Sequence, residues 1–154
     1  MHEATKIRII SGLDDATTKE TEEFYLTFTK SVISFSSPEV AEMSKLVENS
    51  FRQVNIAFVN ELAQIANVFG VSINEVLSAA DTKPYGYMRF TPGAGVGGHC
   101  IPVDPLYLTW WARQNGEKAE FVESADSINH AMPKYVAQRA FAMVDASKTN
   151  PKVL

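Results

Sequence analysis

One cysteine stands in 154 residues, and this scarcity excludes an intramolecular disulfide framework and fits a reducing compartment. Long apolar runs are lacking as well. No stretch could span a bilayer, and Met1-His2-Glu3-Ala4-Thr5-Lys6 has no apolar region of a secretory leader. Both absences point to a cytoplasmic protein with no membrane partner. Positive charge is not in excess: the formal net charge of −4 leaves no electrostatic footprint for nucleic acid. Internal repeats and low-complexity stretches are missing too. The remainder is ordinary for a globular chain, with 45% hydrophobic and 21% charged residues and enough length for one sizeable core.

Glycine is concentrated in one place. Four of the eight glycines fall in Gly93-Ala94-Gly95-Val96-Gly97-Gly98, directly before His99-Cys100-Ile101-Pro102-Val103-Asp104-Pro105. Glycine lets the backbone adopt positive φ and approach a ligand closely. Asp104-Pro105 reads as an N-cap followed by proline at N1, so a helix is expected to begin there. A thiol just before a helix N-terminus feels the positive end of the helix dipole, which favours the nucleophilic thiolate. The competing reading is a buried structural cysteine in a glycine-rich turn.

Taken in order, the chain opens with the β-branched run Ile7-Arg8-Ile9-Ile10, ended by Ser11-Gly12. Asp14 to Thr29 has helical spacing, with apolar Phe24, Leu26 and Phe28, and Ser31 to Phe35 reads as a second strand. Strand, crossover helix and strand make one βαβ unit, too little for a stable doubly wound sheet alone. Ser37-Pro38 then starts a long helix, in which Val40, Met43, Leu46, Val47, Phe51, Val54, Phe58, Leu62, Ile65 and Phe69 recur at helical spacing up to Gly70. Its middle, Ile56-Ala57-Phe58-Val59, is apolar on more than one face, which implies burial on both sides and dimerisation through this helix. Ser72-Ile73-Asn74-Glu75 is a capping box opening a short helix to about Ala80. Thr82 to His99 is expected to be an ordered loop. Helices follow from Pro105 to about Gln114 and from Ala119 to about Ala146, the latter with a kink or break at Met132-Pro133. Ser147 to Pro151 reads as a linker, and Val153-Leu154 as the start of another strand.

Elsewhere spacing alone says little about chemistry. Lys45 and Asn49 share a helix face with Glu42 nearby, and Glu48 with Arg52 looks like an i,i+4 pair; by spacing these form a solvated face. His99 beside Cys100 has no second ligand cluster at metal-binding spacing, so no metal is expected. Asp104 suits both capping and chemistry, since both place its carboxylate near the thiol. Trp110-Trp111 reads as core.

Together, Glu42-Met43-Ser44-Lys45-Leu46-Val47-Glu48-Asn49, then Asn55-Ile56-Ala57 and Asn60-Glu61-Leu62, then Pro92-Gly93 through Asp104-Pro105, resemble the UDP-glucose/GDP-mannose dehydrogenase family. The form His-Cys-Ile-Pro-Val-Asp-Pro is similar to its UDP-N-acetylglucosamine and UDP-N-acetylmannosamine 6-dehydrogenases. Val103 stands where the glucose-oxidising branch usually has lysine. The resemblance implies oxidation of the C6 alcohol of a UDP-N-acetylhexosamine to the carboxylate with two NAD⁺, in polysaccharide biosynthesis. It implies Cys100 as a nucleophile that captures the aldehyde and carries a thioester. Lys45 would stabilise the developing oxyanion, Asn49 would hold the same oxygen or an ordered water, and Asp104 would assist as base. Arg89-Phe90-Thr91-Pro92 with Gly97 would line the nucleotide-sugar.

The fold so implied is mainly α: a central helical domain with a long spine helix, of the 6-phosphogluconate-dehydrogenase C-terminal-like kind, preceded by a βαβ remnant of a Rossmann NAD-binding domain. Residues 1–36 would be the remnant, 37–147 the central dimerisation and catalytic domain, and 148–154 a linker into a C-terminal UDP-binding domain. The chain reads as lacking the Gly-x-Gly-x-x-Gly fingerprint, so the phosphate cradle for NAD⁺ is expected outside this chain and the chain alone is expected to be inactive. Two other readings stay open. One is a non-catalytic homodimerisation or scaffold module of the same fold. The other is an unrelated cysteine hydrolase, whose base would have to be His99, His130 or His2.

Overall fold

In the computed structural model, which describes residues 7–144, the β-branched segments Arg8–Ile10 (β1) and Val32–Ser34 (β2) pair in parallel, with Ile9 opposite Ile33. Helix α1, Asp15–Leu26, makes the crossover, so the expected βαβ unit is present with shorter strands. A capping box starts α1: the Asp14 carboxylate accepts from the Thr17 N–H at 2.8 Å, and the Asp14 N–H donates to Thr17 Oγ1 at 3.1 Å. No residue of α1 is fully buried, and Phe24, Leu26 and Phe28 are exposed. A two-stranded sheet offers a helix too little surface to cover its apolar side.

Ser37-Pro38 opens α2, Pro38–Val68, whose 31 residues extend for about 46 Å at the helical rise. The chain divides within this helix into two compact units, Met1–Glu48 and Asn49–Leu154. The second unit holds the rest of α2 together with α3 (Ile73–Ala80), α4 (Asp104–Gln114) and α5 (Glu120–Ala142). The architecture is mainly α.

Three local expectations change. Ser72 precedes α3 in an extended conformation but its side chain makes no capping hydrogen bond, so that capping box does not form. Helix α4 starts one residue early: Val103 is the N-cap, Asp104 the first helical residue, and the Asp104 side chain is buried. Helix α5 runs unbroken through Pro133. The missing N–H of Pro133 removes the usual i+4 donor of the Asn129 carbonyl, a loss the helix tolerates here.

The packing of α2 also departs from its apolar pattern. Ala57, Val59 and Ala66 are buried alongside Asn49, Ser50, Gln53 and Asn60, whereas Phe51, Phe58 and Ile65 are exposed. Phe58 keeps 51% of its surface, so the all-round burial of the helix middle is not achieved within one chain. Trp110 and Trp111 are not core either, at 60% and 53% exposure. The short helix α4 buries only Asp104, Pro105 and Thr109. No helix among the described residues is long and apolar enough to cross a membrane. The expected linker at 148–154, the strand at Val153-Leu154 and His2 lie outside the described residues.

Candidate active site

Asn49 and Asp104, 55 residues apart, meet in the second unit: Asn49 Nδ2 donates to Asp104 Oδ2 at 2.6 Å. The bond ties α2 to the first residue of α4. The other end of the same amide, Asn49 Oδ1, accepts from Arg52 Nη1 at 2.8 Å. Asn49 and Asp104 are both buried, so these charge-assisted bonds work with little competition from water.

Cys100 sits one turn ahead of α4. Its carbonyl accepts from the Asp104 N–H at 2.8 Å and from the Val103 N–H at 3.1 Å, which fixes the turn. The thiol is exposed, against the reading of a buried structural cysteine. An exposed thiol before an eleven-residue helix, with a buried carboxylate four residues on, suits nucleophilic chemistry.

The glycine run is anchored at its start. The Gly93 N–H donates to Asn60 Oδ1 at 2.8 Å, Asn60 Nδ2 donates to Asn129 Oδ1 at 2.9 Å, and Asn129 Nδ2 donates to the Gln53 carbonyl at 3.1 Å. Gln53 Nε2 adds a bond to Asp126 Oδ1 at 3.2 Å. Gly95, at φ +103°, lies against the Asn129 carbonyl, and a Cβ there would stand 2.7 Å from that oxygen. This is the carbonyl that Pro133 leaves without its helical donor. Gly97 differs, because a Cβ on it would meet nothing within 4 Å. Gly93–Gly98 spells Gly-x-Gly-x-x-Gly letter for letter, but no strand leads into it and α4 begins only at Asp104. It lacks the strand-turn-helix setting of a dinucleotide cradle.

The remaining predicted residues are placed as follows. Phe90 packs edge-on against Phe51 of α2, with ring centroids 5.9 Å apart. Arg89 donates to Ser78 Oγ at 3.1 Å and lies 3.7 Å from the Asp81 carboxylate, which ties it to α3 and its C-cap. Pro92 is half-buried and Thr91 exposed. Lys45 is exposed and lies on α2 one turn before Asn49, within the first unit. His99 is exposed, and His130 lies 3.3 Å from Asp126 one turn earlier on its own helix. Among the described residues no group of three or more His, Cys, Asp or Glu could hold a metal. The residues missed from sequence are Arg52, Gln53, Asn60 and Asn129. The signal that would have found two of them, Gln53 and Asn60, is the row of amides at 49, 53, 60 and 64 on α2, a helical spacing away from the apolar stripe.

The model of the UDP-glucose/GDP-mannose dehydrogenase family, central domain, matches residues 39–131. The chain is 38% identical over 144 residues to a UDP-N-acetyl-D-mannosamine dehydrogenase of Pyrococcus horikoshii, covering 94% of this chain and 34% of that protein. It is 39% identical over 132 residues to an NDP-N-acetyl-D-galactosaminuronic acid dehydrogenase of Ralstonia nicotianae, covering 86% of this chain and 30% of that one. The solved UDP-N-acetyl-mannosamine dehydrogenase of Staphylococcus aureus superposes with a TM-score of 0.78 at 34% identity, covering 96% of this chain and 33% of that structure. The chain thus spans about a third of the length of the relatives it matches. Between a matched central-domain model and a superposition over nearly its whole length, the chain belongs to the UDP-glucose/GDP-mannose dehydrogenase family.

Proposed function

We propose that this chain is the chemistry-bearing centre of a nucleotide-sugar 6-dehydrogenase, which oxidises the C6 alcohol of a UDP-N-acetylhexosamine to the uronate for polysaccharide assembly in the cytoplasm. The observation that carries the reading is the buried Asn49–Asp104 bond at 2.6 Å, with the Asp104 N–H bonded to the carbonyl of an exposed Cys100. NAD⁺, held outside this chain, would supply the hydride acceptor for the two oxidations. The described residues do not fit it: the one glycine run of the right spelling lacks a leading strand, and the turn after β1 has a single glycine. Residues 1–36 are then the end of a Rossmann domain, 37–147 the central domain, and 148–154 the way into a UDP-binding domain.

Within this chain, Asp104 takes the proton of the alcohol or of the hydrolytic water. The Cys100 thiolate adds to the C6 aldehyde, giving a thiohemiacetal; after its oxidation the acyl group rests on sulfur as a thioester until water releases the carboxylate and the thiol. Lys45 and Asn49 hold the oxygen on which negative charge develops. Arg89, Phe90, Thr91, Pro92 and Gly97 line the nucleotide-sugar. Phe51, Phe58 and Ile65, left exposed on α2, support a homodimer formed through this helix.

The test is turnover of the full-length enzyme with UDP-N-acetylmannosamine and UDP-N-acetylglucosamine. Two NADH and one uronate per sugar are expected, with no uronate from Cys100→Ser. Full uronate production by Cys100→Ser would end the thioester role. Absence of both turnover and nucleotide-sugar binding in a stable dimer would favour the scaffold reading.

A further inference from the structure

Asn49 has two different ends, and the chemistry proposed for it depends on which end faces Asp104. Only the NH2 end can donate to a carboxylate; the carbonyl end would place oxygen against oxygen. Asn49 reaches Asp104 from α2 through two side-chain torsions, and the outer one sets the two ends of the amide in either sense with no selection from the backbone. Asp104 makes that selection at one end of the amide, and Arg52 makes it at the other. Three residues along the same helix face, its Nη1 donates to Asn49 Oδ1 at 2.8 Å, and a guanidinium has donors only. Turning the amide over would set NH2 against guanidinium and carbonyl against carboxylate, replacing two charge-assisted bonds by two repulsions. Asn49 is 4% exposed, so water cannot substitute for either partner.

We propose that Arg52 is a positioning residue for the reaction: it locks the Asn49 amide with Nδ2 toward Asp104 and thereby holds the Asp104 carboxylate in place, four residues after Cys100. The inference rests on the functional reading above and extends it to a residue that acts through Asn49. One amide hydrogen of Nδ2 is used by Asp104, and the second is the one that meets the reacting oxygen. Loss of Arg52 leaves the amide held at its Asp104 end alone, so the amide plane is less constrained and the reacting oxygen and Asp104 lose their alignment for part of the time.

The test uses the full-length enzyme in a four-corner cycle of wild type, Arg52→Met, Asn49→Ala and the double variant. Arg52→Met is expected to lower kcat by about 100-fold, the scale of a misplaced reacting group, with KM for the nucleotide-sugar changed less than about threefold. In the Asn49→Ala background the same change is expected to have almost no further effect, because Arg52 acts through Asn49. Arg52→Lys, which keeps a donor cation, restores most of the rate if it reaches Oδ1. Additive losses in the cycle, or a kcat for Arg52→Met within twofold of wild type, overturn the proposal. A crystal structure of full-length Arg52→Met decides the matter without turnover: the Asn49–Asp104 contact is expected to be lost, and its retention with the same partners overturns the lock. If wild type itself makes no uronate, the functional reading fails, and the crystal structure still decides this one.

Discussion

Asn60 and Asn129 join α2 to α5 by one amide-to-amide hydrogen bond of 2.9 Å, with Asn60 wholly buried and Asn129 nearly so. Each amide has its second end engaged: Asn60 Oδ1 takes the Gly93 N–H, and Asn129 Nδ2 gives to the Gln53 carbonyl. The three bonds run in one direction, so neither amide can turn over without breaking two of them. The glycine run thus starts from a rigid point between two helices.

Removing either amide strands buried partners. Asn60→Ala leaves the Gly93 N–H and Asn129 Oδ1 unsatisfied, and the expected loss is about 2–6 kcal/mol at about 1–3 kcal/mol per stranded group. Urea unfolding checks it: the midpoint should fall with the slope unchanged. A midpoint equal to wild type would mean that water replaces the amide.

Gly95 and Gly97 should respond in opposite ways to a methyl group. Gly95→Ala combines a positive φ with a Cβ 2.7 Å from the Asn129 carbonyl, a backbone atom that cannot yield. A loss of about 1–3 kcal/mol is expected from the strained conformation alone. Gly97→Ala meets nothing and should leave the melting temperature where it is. Its effect, if the loop holds a nucleotide-sugar, belongs in KM. Equal melting temperatures for the two variants would contradict the close approach at Gly95.

Asp14 gives the first unit an acid-sensitive cap. The backbone N–H of Thr17, followed by its hydroxyl, holds the Asp14 carboxyl below its ordinary value of 3.8. A carboxylate whose pKa is depressed on folding stabilises the fold above 3.8 and loses that contribution as pH falls through the lower folded value. NMR titration of the side-chain carboxyl should show a midpoint below 3.8, and Thr17→Val should bring it back toward 3.8. A wild-type midpoint at or above 3.8 would remove the cap from the account.

Phe58 tests the dimer. It is a large ring at 51% exposure in the middle of α2, while the opposite face of the helix is closed by α5. Phe58→Asp places a charge where a second copy would bury the ring, and sedimentation should shift from dimer to monomer. A wild-type monomer at micromolar concentration would defeat the proposed interface.

Helix α2 is legible in the sequence because thirty residues of periodic apolar positions leave little alternative. Which way the helix faces is not. Periodicity marks two faces, and the natural assumption is that the apolar one turns inward. Here Phe51, Phe58 and Ile65 stay exposed while Asn49, Gln53 and Asn60 are buried, because amides on α2 find partners on α4, α5 and the glycine run. Those partners lie 33 to 73 residues away and leave no local pattern. The glycine-cysteine stretch is legible because its composition is local. The shift of the α4 cap from Asp104 to Val103 is not, since Asp-Pro suits N-cap and N1 as well as N1 and N2. The Asn49 bond accompanies the second arrangement, with Asp104 facing inward.

The two tryptophans of the sequence are neighbours on α4, six and seven residues after Asp104, and both are largely in water. Indole emission from this segment therefore comes from one corner of the molecule, beside the cysteine turn, and in a solvated state. Whatever covers the two indoles (a second domain, a second copy or a bound nucleotide-sugar) is expected to move the emission to shorter wavelength. The chain carries its own optical reporter for the region where its chemistry is expected.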